Sequence, residues 1–131
     1  MVQLGSIIKV SDKTSIVLVQ CIKVLKSYKN KIAKLGDVIL VSVQWVNVKK
    51  YVLLKPRLKK KYLKGSIHRA LVIRSKVNFC RVKGIYLKFN ENCVILITSN
   101  IVPVSNRVYG PVLKEMCLKW PAIGCVSNCM I

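Results

Sequence analysis

Acidic residues are almost missing from this sequence. Only Asp12, Asp37, Glu91 and Glu115 carry a carboxylate, and His68 is the only histidine. Catalysis by proton transfer or covalent attack needs positioned acids, bases or activated nucleophiles. So small an inventory argues against an enzyme. A Cys–His pair through His68 is formally open, but His68 lies one residue into a strand pattern beside Arg69, where a surface or rim histidine is expected. No CxxC pair occurs among the cysteines at 21, 80, 93, 117, 125 and 129. The usual zinc spacings are therefore absent, and neither a metal nor a cofactor is expected. No apolar run reaches the roughly 18 residues that cross a bilayer. Met1-Val2-Gln3-Leu4-Gly5 has no charged start and no long apolar core, so no secretory signal is expected. In that setting Cys117, Cys125 and Cys129 are expected as reduced thiols. Cys21 and Cys93 lie in strand-like apolar runs and are expected as small core hydrophobes.

What the chain has in abundance is positive charge. Of 131 residues 24 are Lys or Arg, which sets the net charge at +20. Self-repulsion on that scale opposes a compact state unless a polyanion neutralises it. Lys outnumbers Arg nineteen to five. Lys meets phosphate as a point charge, whereas Arg reads planar or bidentate targets, so the balance favours backbone binding over base reading. A cationic membrane-surface protein would carry Lys along one face of a long amphipathic helix. Here the charges fall mainly between strand-like segments, which favours nucleic acid and no membrane.

Apolar residues make up 53% of the chain, enough for a core, and the length suits one domain over 1–131. Ile7–Val10 reads as a short strand, followed by a polar turn at 11–15. The segment 15–25 is rich in β-branched residues and apolar on both faces at Ile16, Val17, Leu18 and Val19, as in a barrel strand. Lys26 to Lys34 reads as a basic loop, and Gly36-Asp37 as a turn. Over 38–48, Val41, Val43 and Trp45 alternate with Ser42 and Gln44, the period of a half-buried strand. Lys49 to Lys64, broken by Pro56, reads as an extended loop or hairpin arm. A strand follows at 67–74, then a second basic connection to Lys83. Ile85–Phe89 and Cys93–Thr98 read as a hairpin around Asn90-Glu91-Asn92. Pro111 suits a first helical position, and Val112, Leu113, Met116 and Trp120 recur at helical spacing, so a helix is expected from 112 to 120, ended by Pro121. The pattern is mainly β: a small five-stranded barrel with basic loop or hairpin extensions and a short C-terminal helical segment, about 111–131.

The basic residues are the candidate site. Lys49-Lys50 beside Tyr51, and Lys59-Lys60-Lys61 beside Tyr62, join phosphate-neutralising charge to a stacking ring, a combination suited to RNA. A single lysine run is ordinarily a solvated surface; several with almost no compensating acid favour polyanion binding. The candidate contacts are Lys9, Lys13, Lys23, Lys49, Lys50, Lys55, Arg57, Lys59, Lys60, Lys61, Lys64, Arg69, Arg74, Lys76, Arg81, Lys83, Lys88 and Arg107. A free-standing OB-type barrel for single-stranded nucleic acid is the alternative. Such barrels line one sheet face with several aromatics, and the nine aromatics here include Tyr51 and Tyr62 outside the expected strands.

The order of several short strings is more specific. Met1-Val2-Gln3, Val10, Asp12, Cys21-Ile22-Lys23-Val24-Leu25, Gly36-Asp37, Ala70-Leu71-Val72-Ile73-Arg74-Ser75-Lys76, Gly84, Phe89, Asn92, Ile95-Leu96 and Arg107-Val108-Tyr109-Gly110-Pro111-Val112 with Lys114-Glu115 occur in this order along the chain. Taken in that order, with the first quarter up to Leu25 matching without a gap, they resemble the universal large-subunit ribosomal protein L-fourteen family. The resemblance implies a five-stranded antiparallel β-barrel with a protruding hairpin or loop and short C-terminal helices. It implies binding to large-subunit rRNA on the face toward the small subunit, with bridges to small-subunit rRNA. It also implies neighbours of the L-three and L-nineteen families and docking of a ribosomal silencing factor. The sequence departs from the family at 15–18, where small residues and a basic pair are usual, at Lys83, where Asp, Asn or Ser is usual, and in the longer segment 49–64. The resemblance begins at Met1, and the chain is rich in Ile, Val, Lys and Cys. Both lead us to expect an organelle-encoded, mitochondrial member located in the matrix, with another organelle or a bacterial ribosome as the alternative.

Overall fold

The computed structural model describes residues 1–25 and 31–131. Five strands close into a barrel: β2 (Ile7–Val10), β3 (Ile16–Val24), β5 (Val38–Val46), β6 (Ile67–Arg74) and β9 (Cys93–Ile97). Four of the neighbouring pairs are antiparallel. The closing pair, β2 with β9, runs parallel, Lys9 opposite Cys93 and Val10 opposite Val94. The barrel matches the expected fold except in that parallel seam. Two short strands, β1 (Val2–Gln3) and β4 (Ile32–Ala33), pair beside it. Residues 26–30 of the expected basic loop lie outside the described residues.

The barrel interior is filled by Ile8, Val19, Cys21, Ile39, Val41, Val43, Ala70, Val72, Val94 and Leu96, with Tyr62 packed among them. Alternation puts the intervening residues of β6 and β9 outside. Leu71, Ile73, Cys93, Ile95 and Ile97 form a second cluster with Val108, Val112, Leu113, Met116 and Ile123 from the C-terminal segment. Two strands buried on both faces explain the continuous apolar runs there. Cys21 and Cys93 are core residues as expected, and burial pushes the Cys93 thiol up to about 11. All six cysteines carry free thiols.

Four sequence expectations need correction. Residues 49–64 are not an extended arm. They form two short helices, α1 (Val48–Val52) and α2 (Pro56–Lys61). Asn47 starts the first by accepting hydrogen bonds from the amides of Lys49 and Lys50, and Pro56 sits in the first turn of the second. The expected hairpin over 85–98 does not form. β8 (Tyr86–Leu87) turns back to β7 (Phe79–Cys80), while β9 joins the barrel. Pro111 does not open a helix but lies in β10 (Val108–Val112), paired in parallel with β11 (Ser127–Met130). The helix there is shorter, α3 (Lys114–Lys119), and Pro121 begins a further one, α4 (Pro121–Val126). Finally, Trp45 does not share the inner face of Val41 and Val43. The β3–β5 register shifts between Leu18 opposite Trp45 and Val19 opposite Val43, and this irregularity turns the indole outward.

Ile123 on α4 is fully buried against the outer face of the barrel. Ile123→Ala should cost about 2–5 kcal/mol. Hydrogen exchange should show α3 and α4 opening in mild denaturant while β6 stays protected. Simultaneous loss in all three would show instead that the C-terminal segment unfolds only with the barrel.

Candidate nucleic-acid interface

The four acids define the surface by where they are. Asp12 is buried at one end of the barrel. Its carboxylate accepts from the amide and hydroxyl of Thr14 and from the Leu96 amide at 3.1 Å. Burial outweighs these bonds and raises its pKa. Asp37 is also buried and accepts from the Lys34 amide at 2.8 Å in the turn at Gly36. Glu91 lies 2.9 Å from Lys9 Nζ and 3.6 Å from Arg74 Nη2. Glu115 meets Arg81 through two hydrogen bonds, of 2.5 and 3.2 Å. Every carboxylate side chain is thus engaged within the chain, and most of the lysines are left facing outward.

Fifteen of the eighteen candidate contacts are exposed: Lys9, Lys13, Lys23, Lys49, Lys50, Lys55, Arg57, Lys60, Lys61, Lys64, Arg69, Lys76, Lys83, Lys88 and Arg107. Lys59 and Arg81 are half-buried. The structure brings several of them together. The Lys13 amide donates to the Arg107 carbonyl, and Lys50 Nζ lies 5.8 Å from the centre of the Tyr109 ring, so α1 shares that end of the barrel. Lys9 and Lys76 flank a crevice with Asn90 and Asn92. Lys83 and Arg81 flank another with Lys114.

Arg74 is placed differently. It is 6% exposed, and its Nη1 donates to the Tyr109 carbonyl at 3.0 Å. Gly110, at φ +82°, passes so close that a Cβ there would stand 1.9 Å from Arg74 Nη1. The sequence gives no hint of this arrangement, because arginine is ordinarily exposed. Arg81 also has inward partners: besides Glu115 it donates to the Ile131 carbonyl at 2.7 Å.

Among the described residues no cluster of three or more metal-ligating side chains occurs. His68 Nε2 lies 3.0 Å from both Ser66 Oγ and the Lys61 carbonyl, and burial lowers its pKa. The Ser66 hydroxyl donates to the Leu63 carbonyl at 2.7 Å, so its proton is used in closing the turn before β6. The geometry therefore defines a class: a basic β-barrel with an apolar interior and exposed lysines and arginines on its surface. The family model described as ribosomal protein L14p/L23e matches residues 1–131. The chain belongs to that family, and is a structural, non-enzymatic protein of the large ribosomal subunit. The family implies rRNA and other ribosomal proteins as its surroundings.

Glu115 supplies a pH test. Hydrogen bonding from Arg81 holds its carboxyl below the ordinary carboxylate range. The stability from this pair is present above the unfolded-state pKa and is lost as pH falls through the depressed folded-state value. The carboxylate is partly exposed, so its contribution should stay under about 1 kcal/mol. Acidification below about pH 4 should speed exchange of the Ile131 amide, which donates to the Val112 carbonyl. Glu115→Gln should make that exchange independent of pH across the same window, after correction for intrinsic exchange; an unchanged profile would remove the pair from the account.

Proposed function

We propose that this protein binds large-subunit rRNA through its exposed lysines and arginines and helps form bridges to small-subunit rRNA. The supporting observation is the internal engagement of all four acids, which leaves a basic exterior on a chain of +20. Such a surface neutralises phosphates without reading bases. The exposed candidate residues carry the contact, and α1 and α2 extend it. Arg74 serves the fold instead. We further propose a mitochondrial ribosome as the location, on the Ile-, Val-, Lys- and Cys-rich composition. Neighbours of the L-three and L-nineteen families and a silencing factor are carried by the family resemblance.

A tagged copy expressed in the source cells should sediment with large subunits and be released by high salt. Its appearance only in light fractions would sink the reading. Cell fractionation tests the location separately, because exclusively cytosolic large subunits would contradict a mitochondrial site.

A further inference from the structure

The outward turn of Trp45 has a chemical consequence. Its indole is 62% exposed and has no ring-pair, cation–π or hydrogen-bond partner among the described residues. It borders a cavity of about 340 Å³ at the end of β5, together with Val48, Tyr51, Tyr62, Leu63 and Lys64. That volume lies at the lower end of the range for small-ligand pockets, roughly 300–1,000 Å³. The walls are held in place. The Tyr51 hydroxyl donates to the Lys59 carbonyl at 3.1 Å, which ties α1 to α2, and Tyr62 is anchored in the barrel core. Eight basic residues and no acid lie between positions 49 and 64.

An aromatic wall beside a dense array of cations matches a nucleotide in both of its parts. The base has a flat π-face for the indole, and the phosphates on either side meet lysines. An apolar side chain from a protein would fill the cavity equally well, but its backbone would offer no charge to Lys64 at the wall or to the basic segment around it. We propose that this pocket receives one unstacked nucleobase of a single-stranded RNA segment, stacked on Trp45, with the flanking phosphates near Lys64 and the lysines of α1 and α2. The proposal rests on the rRNA-binding reading and adds to it a specific seat for one base.

The full-length chain carrying Trp120→Phe leaves Trp45 as the only tryptophan reporter. Titration with a short oligoadenylate should quench its emission. Inorganic polyphosphate should bind without quenching, because it brings charge and no base. Trp45→Ala should weaken oligoadenylate binding roughly tenfold or more and leave polyphosphate affinity unchanged. Trp45→Phe should keep most of the affinity. Val48 is 70% exposed, so Val48→Glu should fold and should abolish quenching by placing a carboxylate at the mouth of the pocket. It carries the test if circular dichroism shows Trp45→Ala unfolded. Oligoadenylate binding without quenching, at equal affinity for the parent and Trp45→Ala or, where that variant is unfolded, Val48→Glu, would overturn the pocket and leave the rRNA reading standing. Failure to bind either polyanion would overturn both. Quenching by polyglutamate in competition with oligoadenylate would assign the pocket to an acidic protein segment instead.

Discussion

Gly110→Ala should destabilise the protein by about 3–5 kcal/mol and lower its melting temperature by roughly 10–15 °C. The cause is local. A methyl group at this position would overlap Arg74 Nη1, and the backbone sits at φ +82°, where side chains are disfavoured. Arg74 cannot easily yield. Its Nη1 is bonded to the Tyr109 carbonyl, its Nη2 faces Glu91, and the surrounding chain is packed. Its Nε already lacks a hydrogen-bond partner among the described residues. In an Arg74→Ala background the overlap disappears, and only the left-handed backbone penalty of about 1–2 kcal/mol remains for Gly110→Ala. The two substitutions should therefore couple by about 2 kcal/mol in a thermal or denaturant double-mutant cycle. Strict additivity would show that the guanidinium and the glycine are independent.

The second large effect concerns binding. Changing Lys49, Lys50, Lys59, Lys60 and Lys64 together to glutamine removes four positive charges from the two insert helices and a fifth from the turn that follows them. If each neutralises one phosphate, the slope of log affinity against log salt should become shallower by about 3.5–4.5, at roughly 0.7–0.9 per phosphate. Affinity for an rRNA fragment near 100 mM salt should fall on the order of a hundredfold or more, with little sequence preference in the loss. Thermal stability should barely move, since α1 and α2 contain no buried residue. Filter binding over a salt series measures this. An unchanged slope would place the RNA contact elsewhere on the barrel and remove the insert from the interface.

The sequence disclosed the barrel where its strands obey one local pattern. β3, β5 and β6 are long and rich in β-branched residues, and their spans were readable within a few positions. What escaped depends on partners distant in the chain. Pro111 looked like a helix start because proline suits a first turn, yet it sits in a strand whose partner, β11, lies in a tail too short to interpret alone. Tyr86–Leu87 pairs backward with β7 rather than forward with β9, and periodicity does not rank such alternatives. The helices at 48–61 were obscured by their lysine density, although Asn47 and Pro56 mark their starts. For the interface, charge composition indicated the kind of ligand. It did not show that Arg74 turns inward or that Trp45 turns outward, because each follows from packing around one or two positions.

The parallel seam between β2 and β9 also sets an order of events during synthesis. The Asp12 carboxylate and the Leu96 amide, which meet beside the seam, are separated by 84 positions. β2 is made early and can pair with β3, but its other edge waits until residue 97 has left the exit tunnel. Long-range pairing of this kind slows folding, and an open strand edge invites association with other chains. A nascent chain this strongly cationic repels its own copies during that wait. The positive charge that suits the finished protein to a polyanion thereby also protects the unfinished one from its neighbours.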